Sequence, residues 1–190
     1  MAKDLFPLLE YFKKFVDEDT QKRIQSIAEL ETNQFGVDPF GFDANTLYGV
    51  APFMVWLYRH YFRVETFGTE NIPKGRIMTI ANHSGQLPFD AAMILTAFIL
   101  EPKTPRFLRG MVEKWSSEVP FISTFFSRTG QVVGTPSTCK ALLERDQGVI
   151  VFPEGVNGIA KLFSERYKLS SFGTGFMRLA LSAKAPIVPV

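Results

Sequence analysis

The segment RIMTIANHSGQLPFDAAMILTAFILE, Arg76 to Glu101, changes character twice. It begins as a short apolar run, RIMTIA over 76–81, of a length that suits a buried strand. It then turns polar through Asn82, His83 and Ser84. Pro88 favours a loop there, followed by a helix that starts near Phe89 and runs over 89–101. A strand, a polar loop and a helix in immediate succession form the repeating unit of an α/β layer structure.

The same alternation continues downstream. Strand-like runs are expected at 62–67 (FRVETF), 106–112 (RFLRGMV), 131–134 (QVVG), 149–152 (VIVF) and 187–190 (IVPV). Helices are expected at 137–147 and about 174–183. In the first of these, Cys139, Leu142 and Leu143 share a face and Gly148 is read as the stop signal. Cys139 therefore reads as a small core residue and not as a nucleophile. The fold class that follows is α/β, with a largely parallel central sheet flanked by helices.

Upstream the pattern is helical. Residues 4–31 carry Leu5, Leu8, Leu9, Phe12 and Phe15 at three- and four-residue spacing. That stripe suits a helix packed on the core, and equally an amphipathic helix lying on a membrane surface. Gly36 to Asn45 is turn-rich and reads as a loop. An apolar helix is expected at 46–59, followed by the basic–aromatic cluster Arg59-His-Tyr-Phe-Arg63. This cluster suits either a membrane interface or a helix end where cations oppose the dipole. No carboxylate stands at useful spacing from His60, so it reads as structural or interfacial.

Bulk composition narrows the classes. The chain has 190 residues, 46% hydrophobic and 14% aromatic, with 19 Phe, which is ample core material. A net charge of +2 gives no argument for a nucleic-acid partner. One cysteine excludes an intrachain disulfide framework and a multi-cysteine zinc site. No signal peptide is visible, and the longest apolar stretch, Leu47 to Tyr58, is too short to span a bilayer. The chain stops inside the apolar run IVPV, so a C-terminal continuation is expected.

Chemistry in open α/β sheets sits outside the carboxyl ends of the strands. That rule selects Asn82-His83-Ser84 after RIMTIA and Pro153-Glu154-Gly155 after VIVF. His83 with Asp90 seven positions on is either a general base with its orienting carboxylate or a loop histidine at a strand end. The chain has no G-x-S-x-G elbow, and Ser84 beside His83 on an extended segment points away from it. One histidine with scattered carboxylates makes no zinc set, so no metal is expected. Gly173-Thr-Gly175 is a fragment of a dinucleotide fingerprint, and no Walker pattern occurs.

ANHSGQLPFD, VFPEG and APIVPV, in that order, resemble the glycerolipid acyltransferases typified by 1-acylglycerol-3-phosphate acyltransferase, over about residues 62–190. The resemblance implies that His83 removes a proton from an acceptor hydroxyl and that Asp90 orients it. The hydroxyl would attack an acyl thioester directly, with acyl-CoA or acyl-carrier protein as co-substrate and no resident cofactor. Arg128 in FFSRTG would help hold an acceptor phosphate; Glu154 and Gly155 would form the acceptor-binding pair, and Pro189 would be structural. Two departures stand out. The His83–Asp90 interval is wider than the family's usual one and contains Pro88. Asn157 stands where the family usually has an arginine, leaving Lys161, Arg166 or Lys168 to compensate, or the acceptor less anionic.

The implied organisation is an N-terminal helical, membrane-docking segment over 1–61 and an α/β acyltransferase core over 62–190, truncated at its C-terminus. The implied partners are a lysophospholipid or related acceptor, the acyl donor and a membrane surface on the cytoplasmic face, but no nucleic acid. Competing expectations are a catalytically silent lipid-binding module of the same fold and a lipid or thioester hydrolase.

Overall fold

A computed structural model describes residues 11–83, 87–165 and 168–190. The chain forms two compact units. One comprises residues up to 71 together with 92–107 and 124–130; the other comprises 72–91, 108–123 and 131–190.

The first unit is helical. Helix α1 spans Glu18–Glu31 and α2 spans Ala44–Trp56, continuing into a wider helical turn, Leu57–Tyr61. Asp17 starts α1: its side chain accepts the Thr20 backbone N–H at 2.8 Å, satisfying one of the donors a helix start leaves open. Ile24, Ile27 and Ala28 form the buried stripe of α1 and join Phe42, Leu47, Ala51, Val55 and Tyr58 in one core. The turn-rich segment before α2 is pinned by Asp38, whose Oδ1 accepts the N–H groups of Phe40 and Phe42 at 2.9 and 2.7 Å, and Phe42 is completely buried.

Two expectations fail in this unit for local reasons. The 4–31 helix is interrupted: Val16 is extended and Asp17 caps a new helix, because its carboxylate captures the Thr20 amide. The part of that expectation before residue 11 lies outside the described residues. The strand at 62–67 does not form. The Val64 N–H bonds to the Tyr58 carbonyl at 3.0 Å, and Thr66 Oγ1 lies 2.7 Å from the Tyr58 hydroxyl. The segment thus spends hydrogen-bonding capacity on the preceding helical turn and not on a sheet neighbour.

The second unit holds a five-stranded sheet: β1 Ile77–Ile80, β2 Leu108–Val112, β3 Val132–Val133, β4 Gly148–Val151 and β5 Ile187–Pro189. Its order is β3-β2-β4-β1-β5, and every pairing is parallel. The α/β expectation holds. Ile77, Met78, Leu108, Val149 and Ile150 are wholly buried, as the centre of a parallel sheet requires.

The intervening helices are α3 Phe89–Leu100, α4 Ile122–Arg128, α5 Pro136–Glu144, α6 Val156–Ile159 and α7 Gly175–Ala183. Helix α5 lays Cys139, Leu142 and Leu143 against β4 and α7. It ends at Glu144, earlier than expected. Asp146 takes the left-handed conformation (φ 58°) that turns the chain, and Gly148 is already the first residue of β4.

Register positions the chemistry. Residues Ile77 to Ile80 pair one-for-one with Gly148 to Val151. The segments Ala81-Asn82-His83 and Phe152-Pro153-Glu154 therefore leave neighbouring strands at the same edge of the sheet.

Candidate active site

Asp90 returns to His83 across the long interval. Its Oδ2 stands 2.6 Å from His83 Nδ1, and its Oδ1 accepts the Ala91 N–H at 2.7 Å. The return follows from where α3 begins. The helix starts at Phe89, directly after Pro88, so Asp90 lies in the first turn, where a carboxylate is favoured by the helix dipole. A carboxylate accepting the Nδ1–H fixes the tautomer and leaves the Nε2 lone pair available. The two side chains are 17% and 20% exposed, so the pair is shielded but reachable. Ser84 lies outside the described residues.

The His83 ring also lies on the ring of Phe152, the residue immediately after β4, with centroids 4.3 Å apart and planes 24° apart. Phe152 reads in the sequence as the last residue of an apolar run. Only the β1–β4 register reveals that it backs the histidine.

The second strand-end loop carries a different carboxylate. Glu154 is 3% exposed. Its Oε2 accepts the Ser170 N–H at 3.0 Å and is ion-paired with Lys161. Burial pushes this carboxyl up, but the Lys161 hydrogen bond, the Ser170 N–H and the Lys161 charge outweigh burial and hold it below its ordinary value. Oε1 is buried and has no hydrogen-bond partner among the described residues. Gly155 follows with φ 55° and ψ −142°, a conformation essentially confined to glycine. It lets the chain turn sharply from Glu154 into α6.

Asn157 is exposed on α6 and, with Lys161, Lys168 and Ser170, helps line a cavity of about 520 Å³. Lys161 is already neutralised by Glu154, whereas Lys168 is exposed. Arg166 lies outside the described residues.

His83, Asp90, Glu154, Gly155 and Asn157 thus belong to one unit. Arg128 does not. It ends α4 in the helical unit, is exposed, and its carbonyl accepts the Asp43 N–H at 3.0 Å. His60 is in that unit too, with its ring 5.0 Å from the ring of Phe15. Cys139 is buried and burial pushes its thiol up, which disfavours the thiolate.

The arrangement can bind and deprotonate a hydroxyl: a histidine with one nitrogen held by carboxylate, beside a loop rich in polar groups. The chain is 38% identical over 161 residues to an uncharacterized protein of Mycobacterium leprae, covering 83% of this chain and 44% of that protein. It is 37% identical over 161 residues to uncharacterized proteins of Mycobacterium bovis and Mycobacterium tuberculosis, covering 83% of this chain and 45% of each. The chain therefore spans less than half the length of these relatives. No solved structure gives a significant match. The family described as Acyltransferase matches residues 63–190, a span that takes in both strand-end loops, and the chain belongs to that family.

Proposed function

We propose that the protein is an O-acyltransferase that moves a fatty acyl group from an acyl thioester to the hydroxyl of a glycerol-phosphate-type lysolipid. His83 Nε2 takes the hydroxyl proton as the acceptor oxygen attacks the thioester carbonyl. The new C–O bond forms, the C–S bond breaks, and the proton passes from the imidazolium to the leaving thiolate. Asp90 orients the ring and stabilises its charged form. Glu154, Gly155 and Asn157 hold the acceptor. The donor is acyl-CoA or acyl-carrier protein.

The observation that carries this reading is the 2.6 Å contact between His83 Nδ1 and Asp90 Oδ2, at a sheet edge shared with Glu154. A silent lipid-binding module would have no use for such a pair. The test is transfer of labelled acyl groups from acyl-CoA and acyl-carrier protein to a panel of lysolipids, by wild type and His83→Ala. Transfer by wild type alone is expected. Equal transfer by both would overturn the role of His83, and no transfer to any acceptor by wild type would overturn the activity. Fatty-acid release that persists under saturating acceptor would point instead to hydrolysis.

Peripheral docking on the cytoplasmic leaflet is part of the same proposal. Among the described residues no helix is long and apolar enough to cross a membrane. Tyr11 and Tyr61 are 57% and 63% exposed, and the ammonium of Lys14 sits 3.5 Å over the Tyr11 ring. With Arg63 they give the helical unit aromatic and cationic groups that suit an anionic lipid surface. Co-sedimentation with anionic vesicles is expected, and should weaken in Tyr11→Ala/Tyr61→Ala.

A further inference from the structure

We propose that Gly158 and Phe152 are positioning residues that together form a seat for the His83 side chain. This rests on the reading of His83 as the base. Gly158 lies buried in α6. A Cβ added to it would stand 3.0 Å from His83 Cβ, 3.1 Å from the His83 carbonyl oxygen and 3.1 Å from Glu154 Cβ. None of these atoms is the far end of a flexible side chain, so none can swing aside.

The glycine is not there for its backbone. Gly155 needs glycine because its φ is positive; Gly158 is not among the positive-φ residues and sits inside a helix. In such a place alanine is ordinarily the more stable choice, by about 1 kcal/mol. What glycine supplies at 158 is close approach. Helix α6 comes down onto the backbone of His83 and the root of Glu154 together, so one residue sets the distance between the two strand-end loops.

Phe152 supplies the complementary surface. It supports the ring face, Asp90 holds Nδ1, and Gly158 bears on the Cβ and carbonyl from which the ring hangs. The imidazole is therefore fixed on three sides, and Nε2 is left to react. Shifting its root moves Nε2 relative to the acceptor oxygen.

The experiment combines kinetics with histidine NMR on the full chain. Only two histidines occur, so 15N-histidine labelling gives two ring systems, with His83→Ala assigning them and His60 serving as the reference. In Gly158→Ala, kcat is expected to fall on the order of 10- to 100-fold, as for a displaced reacting group. The His83 ring signals should shift while those of His60 and the melting temperature hold. Phe152→Leu, which adds no bulk, should also shift the His83 signals and lower kcat, and it decides the matter alone if Gly158→Ala does not fold.

Unchanged His83 signals overturn the seat. So does a KM rise with kcat preserved, or a shift of both histidines with a lowered melting temperature. If wild type transfers to no acceptor, the proposed activity fails, but the NMR comparison still decides for or against the seat.

Discussion

The two segments that follow β1 and β4 carry carboxylates in opposite circumstances. Asp90 stays partly exposed and faces a histidine ring at 2.6 Å. Glu154 is buried, faces Lys161 and accepts a backbone N–H. A carboxylate beside an imidazole changes what the imidazole can do. A buried carboxylate held by a fixed cation mainly keeps two segments of chain together, because removing either charge strands the other. The adjacent segments thus differ: in the proposed reading one prepares a base, while the other ties Glu154 to Lys161 and leaves a single oxygen, Oε1, with no hydrogen-bond partner among the described residues.

That contrast can be broken from either side. His83→Ala is expected to have the largest effect, about a 10³-fold loss of kcat, within the range for general acid–base catalysis. Urea unfolding should change little beyond the cost of the lost ring packing. Lys161→Met is expected to do the reverse and lower stability by about 3 kcal/mol, because it leaves the Glu154 carboxylate buried and uncompensated. It also carries a pH signature. The folded-state value of Glu154 is held below its ordinary 4.5, so its contribution to stability is full above that value and is lost as pH falls through the lower one. Lys161→Met should flatten this acid limb, as read by melting temperature against pH.

Asp90→Asn should lower kcat on the order of 10²-fold, with the His83 tautomer disturbed and KM retained. Melting curves that barely move would separate it from Lys161→Met. The smallest effect is expected in the helical unit. Asp17→Ala removes the α1 cap, and about 1 kcal/mol of stability is expected to go with it. The Thr20 amide and hydroxyl, with Arg59, lower the Asp17 carboxyl from 3.8 to about 2. Its contribution should therefore be present above 3.8 and fade as pH falls through about 2, reduced by solvent screening of this exposed side chain.

Much of this was legible in the residues. Four of the five paired strands lie within runs whose apolar character announces them, β4 begins one residue before its run, and the Pro88–Phe89 boundary foretold the helix start that brings Asp90 back. The failures are instructive. FRVETF alternates like a strand, but alternation cannot say whether a partner exists, and Tyr58 takes up its hydrogen bonds instead. The stripe over 4–31 carries no sign that Asp17 will capture an amide and restart the helix. Phe152 and Gly158 were invisible as site residues because their significance arises from the β1–β4 register, which no local pattern encodes. Lys161 is one of three cations the sequence offers to compensate for Asn157, and the fold pairs it with Glu154.

The pairing of Ile77 with Gly148 also bears on how the protein comes into being. A parallel contact between segments so distant in the chain closes late, after a costly loss of loop entropy. A nascent polypeptide that has not yet reached residue 148 already owns His83 and Asp90, yet has no Phe152 for the imidazole to rest against. Catalytic competence should therefore appear only when β4 docks.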